Sequence, residues 1–148
     1  MNLSKDEKEK LILLAQVHDI GKIGIPDDIL NKKGKLAPDE WEIMKSHSEK
    51  GYRIALSSSE LSKIADLILK HHERWDGTGY PIGLKGDEIP LECRILAIVD
   101  SYDAMTHQRP YNNPKTPEEA FKEIERCAGT QFDPVVAKVF IETFRERI

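Results

Sequence analysis

Little in these 148 residues is of the kind that marks export, membranes or disulfide scaffolds. Only two cysteines occur, Cys93 and Cys127, and they share no motif spacing. That argues against a disulfide framework and against a thiolate metal site; both read as reduced thiols of a cytoplasmic protein. No apolar run approaches the ~20 residues of a membrane span. The opening MNLSKDEKEK has no apolar region of the signal-peptide kind. An excess of positive charge is also missing: the net charge is −4, which argues against coating a nucleic-acid polymer. A small anionic ligand is still compatible, because a local cationic site can sit in a mildly acidic protein. There is no repeat, no low-complexity stretch, no domain boundary and no convincing strand alternation. The apolar and charged fractions are ordinary, and the length suits one domain with a real core. The expectation is a single all-α domain over residues 1–148, with about six helices.

What is present is a set of helical faces that end in histidine or aspartate. Ser4 and Glu7 form a capping box, and the helix they open carries Leu11, Leu14, Ala15 and His18 on one face. It runs out at Gly21, so His18 and Asp19 sit at its C-terminal end. A carboxylate there is disfavoured by the helix dipole and by burial unless a cation offsets both; alternatively Asp19 is simply solvated in the turn. A short helical turn follows Pro26. Pro38, with Asp39 and Glu40 behind it, opens a helix that carries Trp41, Met44 and His47 on one face and runs to Gly51. The helix from Leu61 carries Ile64, Ala65 and Ile68, and its stripe ends in His71 and His72. A loop rich in glycine and proline, Gly77 to Gly86, comes next. Pro90 opens a helix through Met105 that is apolar on every side from Ile95 to Val99, which predicts a central position with Asp100 and Asp103 at its core. Pro117 to Cys127 reads as an amphipathic helix. Asp133 and Pro134 start the last one, with Val135, Val136, Val139, Phe140 and Phe144 as its apolar face.

Each of these polar residues has an ordinary reading when taken alone. The His71–His72 pair caps a helix, His47 is a satisfied core residue, Asp100 bonds to backbone or a serine, and Arg109 is a surface arginine. Together they are six donors, His18, Asp19, His47, His71, His72 and Asp100, all imidazole or carboxylate. Such a set suits Fe, Mn, Zn or Ni. Two cations bridged by a carboxylate can generate hydroxide at neutral pH and stabilise in-line displacement at phosphorus. Asp19 is the candidate bridge. Lys22 could contact a phosphate oxygen or hold Asp103, and Arg109 could hold a second phosphate in bidentate fashion.

The segments HDIGKIGIPD, MKSH, HHERWDGTGYP, RILAIVDSYDAMT, QRPY and GTQFDP, in this order, resemble the HD-GYP subgroup of the HD phosphohydrolases. The likeness covers nearly the whole chain from Leu11 onward. It implies an HD-domain helical bundle with a long glycine-rich GYP loop. It implies a centre of two or three divalent metal ions, most often iron or manganese, and hydrolysis of cyclic di-GMP to pGpG and GMP. Some members act on related cyclic dinucleotides, and others are inactive binding modules. Carried over by position, His18, Asp19, His47, His71, His72 and Asp100 become metal ligands, with Asp19 bridging. Lys22 and Asp103 pair beside the metals for phosphate binding and proton transfer, and Arg109 holds a phosphate. Gly79, Tyr80 and Pro81 form the signature loop, linked to shaping the site and to contacts with GGDEF-type partner proteins.

Two departures from the pattern stand out. The family places a further helix with a His ligand before the HD pair, and no histidine precedes His18 here. The chain is therefore expected to be an N-terminally truncated piece of a longer enzyme, weak or inactive alone, with an exposed surface through which it could form an oligomer. After QRPY the family commonly has Arg or Lys, where this chain has Asn112, removing one cation from the expected phosphate clamp.

Overall fold

The computed structural model describes residues 1–110 and 112–148; Tyr111, in the QRPY segment, lies outside the described residues. Helix α1 (Lys5–Val17) opens with the expected capping box. The Ser4 hydroxyl accepts from the Glu7 amide at 3.1 Å, and the Glu7 carboxylate accepts from the Ser4 amide at 2.7 Å. Leu14 is fully buried, with Leu11, Leu13 and Val17 packed beside it. Ala15, expected on the buried face, is exposed. The helix ends where the His18 amide donates to Leu14 O at 2.8 Å. A 3-10 turn, Ile20–Gly24, and a single-turn helix α2 (Asp27–Leu30) follow.

The helix expected from Pro38 through Gly51 is in fact two, α3 (Pro38–Lys45) and α4 (His47–Leu56). Ser46 makes the break. Its amide bonds back three residues to Ile43 O at 3.1 Å, and its hydroxyl donates to the same oxygen at 2.5 Å. A serine that competes for a backbone acceptor in this way tightens the turn and interrupts the α ladder. The consequence is local but important, because His47 becomes the first residue of a new helix. Next, a 3-10 turn (Ser62–Ile64) leads into α5 (Ala65–Lys70), which stops at His71.

Helix α6 (Leu91–Thr106) is the spine of the fold. Cys93 and Leu96 join a buried cluster with Leu14, Ile64 and Ile68. Ile98 joins a second cluster with Phe121 of α7 (Pro117–Arg126) and Phe140 of α8 (Pro134–Arg145). The expectation that Asp100 and Asp103 lie at the core of this helix is corrected: their side chains are 53% and 56% exposed. Helices α1, α5, α7 and α8 pack on other faces of α6. On α8 the buried positions are Val136, Ala137, Phe140 and Ile141, whereas Val135 and Phe144 are exposed. As expected, the Asp133 carboxylate caps α8, accepting from the Val135 and Val136 amides at 2.8 and 3.3 Å, and it also meets Arg94 Nη1 at 2.7 Å. Among the described residues no β-strand forms, and no helix is long and apolar enough to cross a membrane.

One backbone contact brings the first and second histidine-bearing segments together. A Cβ at Gly21 would overlap the His47 carbonyl oxygen and stand 2.5 Å from the Gly51 amide nitrogen. A Cβ at Gly51 would stand 2.8 Å from the Ile68 side chain. The turn after Asp19 therefore lies directly on the backbone of α4, a separation that only glycine allows. Gly21→Ala is expected to lower stability by about 3 kcal/mol, the upper part of the range for overpacked sites. A chemical-denaturation midpoint equal to that of the unsubstituted chain would contradict this contact.

Candidate metal centre

Each histidine of the centre is positioned at the end of a helix or beside a break in one. His18 caps α1, His47 opens α4, and His71 and His72 follow α5. In three of the four the ring nitrogen Nδ1 lies on a backbone carbonyl three residues earlier. His18 meets Ala15 O at 3.1 Å, His47 meets Met44 O at 2.7 Å, and His71 meets Ile68 O at 2.5 Å. A carbonyl can only accept, so Nδ1 carries the proton, and in the neutral ring Nε2 is left with its lone pair. These bonds fix both tautomer and ring orientation, as outer-shell partners of metal-binding histidines do. Among the described residues, the Nε2 atoms of His18 and His71 are buried and have no hydrogen-bond partner. Buried polar atoms without partners are rare and call for a cause.

The Nε2 atoms converge on Asp19. Its Oδ1 lies 3.6 Å from His47 Nε2 and 3.8 Å from His71 Nε2. Its Oδ2 lies 3.4 Å from His18 Nε2 and 3.2 Å from Lys22 Nζ. His72 Nε2 faces His47 Nε2 at 3.1 Å. The donor atoms of Asp19, His47, His71 and His72 all lie within 4.8 Å of one another. On the other side, His18 Nε2 is 3.8 Å from Asp100 Oδ1. The two oxygens of one carboxylate thus face two groups, His47 with His71 and His72 on one side and His18 with Asp100 on the other. This donor set fits divalent transition metals, which accept neutral imidazole and carboxylate together.

The electrostatics agree with that chemistry. Burial disfavours the charge on Asp19, but the imidazoles of His18 and His71 and the Lys22 ammonium outweigh it and hold the carboxyl well below the usual carboxylate range. Burial, with the neighbouring His71 and His47, pushes His72 down to about 3, and burial lowers His47 as well. His18 moves the other way because Asp19 lies against it. An ionised carboxylate and neutral imidazoles are the forms that coordinate a cation.

Three of the expected site residues are placed differently from the sequence reading. Lys22 pairs with Asp19, three residues away in the same turn, while Asp103 meets His107 Nδ1 at 3.0 Å one turn further along α6. The expected Lys22–Asp103 pairing is therefore replaced by two local contacts. Arg109 lies in the turn after α6, where it bridges to Asn112 and lines a separate hollow with Gln108 and Asn113. It does not line the cleft that His71, His72 and Asp100 share, because the chain turns away once α6 ends at Thr106.

That cleft, of about 430 Å³, is walled by the GYP loop. Tyr80 stacks on His72, with ring centroids 5.0 Å apart and planes 18° from parallel. Gly79 packs onto the backbone of residues 72–74: a Cβ there would overlap the Arg74 amide nitrogen and stand 2.6 Å from Glu73 Cα and His72 O. The peptide before Pro81 is cis, and Pro81 itself is exposed. Sequence reasoning missed the residue that holds this loop. Glu73 is buried, and its carboxylate accepts from the amides of Ile82, Gly83 and Leu84 at 2.8 to 3.2 Å. The available signal was an acidic residue directly after two histidines and before a run of backbone donors in a glycine-rich loop. The GTQFDP segment also joins in, since the Trp75 and Asp76 amides donate to Gln131 O and Thr130 O at 3.2 and 2.9 Å.

Fold and site together define a helical domain built around a histidine–aspartate donor cluster. The chain belongs to the HD-domain family, which it matches over residues 1–136. A cyclic di-GMP phosphodiesterase of Thermotoga maritima is 49% identical over 148 residues, covering 99% of this chain and 40% of that protein. The 3'3'-cGAMP-specific phosphodiesterase 2 of Vibrio cholerae is 40% identical over 148 residues, covering 99% of this chain and 28% of that protein. The crystal structure of a cyclic GMP-AMP specific phosphodiesterase from V. cholerae matches with a TM-score of 0.73 at 24% identity, over 98% of this chain and 40% of that one, a likeness of fold. The chain spans less than half the length of these relatives.

Two outcomes follow from the geometry. Glu73→Ala leaves three loop amides without their charged acceptor and is expected to cost about 3 kcal/mol. Amide exchange at Ile82, Gly83 and Leu84 should accelerate selectively; unchanged protection there would contradict the anchor. In the metal-free chain, His72 is expected to stay neutral from pH 7 to 5, with flat imidazole shifts in NMR. Its pKa is lowered on folding from 6.5 to about 3, so its contribution to stability is present above about 6.5 and is lost as pH falls toward 3. A midpoint near 6.5 in the folded chain would contradict its burial.

Proposed function

We propose that this domain is a metal-dependent phosphodiesterase that hydrolyses cyclic di-GMP to pGpG and on to GMP. The observation that carries the reading is the division of the Asp19 carboxylate between two groups of donors, with the free Nε2 atoms of His18 and His71 turned inward. The relatives named for cyclic di-GMP and 3'3'-cGAMP hydrolysis support a cyclic dinucleotide as the substrate class. In this reading Asp19 would hold divalent cations, iron or manganese, together with His47, His71 and His72 on one side and His18 and Asp100 on the other. Such cations, when bound, would supply hydroxide at neutral pH and charge stabilisation of the phosphoryl group. Lys22, beside Asp19, offers a further positive charge to a non-bridging phosphate oxygen. Asp103, exposed one turn from Asp100 on α6, would take up a proton. Gly79 and Tyr80 line the wall against which the dinucleotide rests.

Elemental analysis after anaerobic loading with iron or manganese is expected to give two or more metals per chain. His72→Ala and Asp19→Ala should each lose at least one, and full stoichiometry in either variant would contradict the ligand assignment. The loaded chain should convert cyclic di-GMP to pGpG slowly, a reaction that Asp19→Ala abolishes. Equal conversion by the Asp19→Ala chain would overturn the catalytic reading and leave a metal-binding signalling module.

A further inference from the structure

We propose that Trp41 and Lys45, on α3, form a nucleotide subsite beside the metal centre, in which Trp41 stacks a base and Lys45 meets a phosphate. This rests on the cyclic dinucleotide reading given above and names residues for which that reading has no role. Both side chains line the same cleft as His71, His72 and Asp100. Being four residues apart on one helix, they share a face. Trp41 is 45% exposed there, although indole is among the most apolar of side chains. It meets Tyr80 edge-on at 6.1 Å, and Tyr80 in turn stacks on His72. The aromatic surface thus runs without interruption from a metal-facing imidazole to the mouth of the cleft. Base–aromatic stacking is tolerant of base identity, because every base has a π-face.

Lys45 supplies the charge that such a platform needs. Its ammonium lies 5.8 Å from the centre of the Tyr80 ring and pairs with Glu42, a residue of its own helix, at 2.5 Å. The Glu42 side chain is 70% exposed and that of Lys45 25%, so solvent reaches the pair from the Glu42 side and screens it. An anionic ligand in the cleft can therefore take the ammonium from it. A nucleotide has both features the pair would recognise, an aromatic base and a phosphate a few ångströms away.

The test compares two ligands that differ only by the base, GMP and ribose 5-phosphate, titrated into the metal-loaded chain by calorimetry. Trp41→Ala is expected to weaken GMP about tenfold, the size of one base stack, and to leave ribose 5-phosphate unchanged. Trp41→Phe, which keeps an aromatic face, should restore most of the loss. Lys45→Ala should weaken both ligands to a similar extent, by about fivefold. Metal content and melting temperature should be the same in all variants. Equal GMP affinity in Trp41→Ala, or an equal loss for both ligands, would overturn the stacking role and leave the phosphodiesterase reading intact. Unchanged affinity in Lys45→Ala would remove the lysine from the subsite. If the unsubstituted loaded chain binds neither ligand, the dinucleotide reading fails and this subsite fails with it.

Discussion

The contact between the Gly21 turn and the backbone of α4 is the constraint on which the centre depends. His18 and Asp19 belong to the end of one helix and His47 to the start of another, and their donor atoms reach one another only because no side chain separates the two backbones. Gly51 faces the same contact from α4, and Ile68 of α5 packs against it, so the helix that delivers His71 and His72 is brought in at the same place. Three chain segments thus converge through two glycines. Directional interactions then set the rings within that frame. The carbonyls of Ala15, Met44 and Ile68 hold the Nδ1 atoms of three histidines and aim the opposite nitrogens at Asp19. Burial keeps two of the rings neutral, while the neighbouring cationic and imidazole groups keep Asp19 ionised. Taken together, these effects produce a donor set matched to a cation, at the cost of inward-facing nitrogens that have no hydrogen-bond partner among the described residues.

The loop beyond the histidines is held by a different kind of interaction. A buried carboxylate without a cationic partner is normally unfavourable. Glu73 satisfies its two oxygens with three successive backbone amides, the arrangement in which charge-assisted bonds are strongest. The same loop edge is joined to the Thr130–Gln131 segment through the Trp75 and Asp76 amides. That is why the HHERWDGTGYP and GTQFDP segments, far apart in the chain, behave as one structural unit. Tyr80 reaches His72 from this loop, and Trp41 reaches Tyr80 from α3, so the cleft wall is built by residues of three separate elements.

Much of the fold was legible because its signals are local. The capping box of α1, the proline starts of α3, α7 and α8 and the Asp133 cap each depend on residues within about one turn of one another, and each appears where the spacing predicts it, whereas the helix expected from Leu61 starts only at Ala65, after a 3-10 turn over Ser62–Ile64. The break at Ser46 was not legible, since a serine inside a good helical stripe interrupts it only when its hydroxyl turns back to the chain. The environment of Asp100 and Asp103 was misread for a related reason. Apolar residues on every side of α6 suggested full burial, but a helix is buried only on the faces that neighbours cover, and Val99, Asp100 and Asp103 lie on the one left open.

By itself the sequence determined the helical class, the helix ends that carry the donors, and a donor set of imidazole and carboxylate without thiolate. These follow from residue type and short-range periodicity. Only the tertiary structure decided that the two oxygens of Asp19 face different groups, that Lys22 and Asp103 each take a local partner, that Arg109 turns away from the cleft, and that Glu73 holds the loop. These depend on where separate segments meet in space. That meeting is set by the close approach of backbones and the covering of helix faces, which no spacing along the chain encodes.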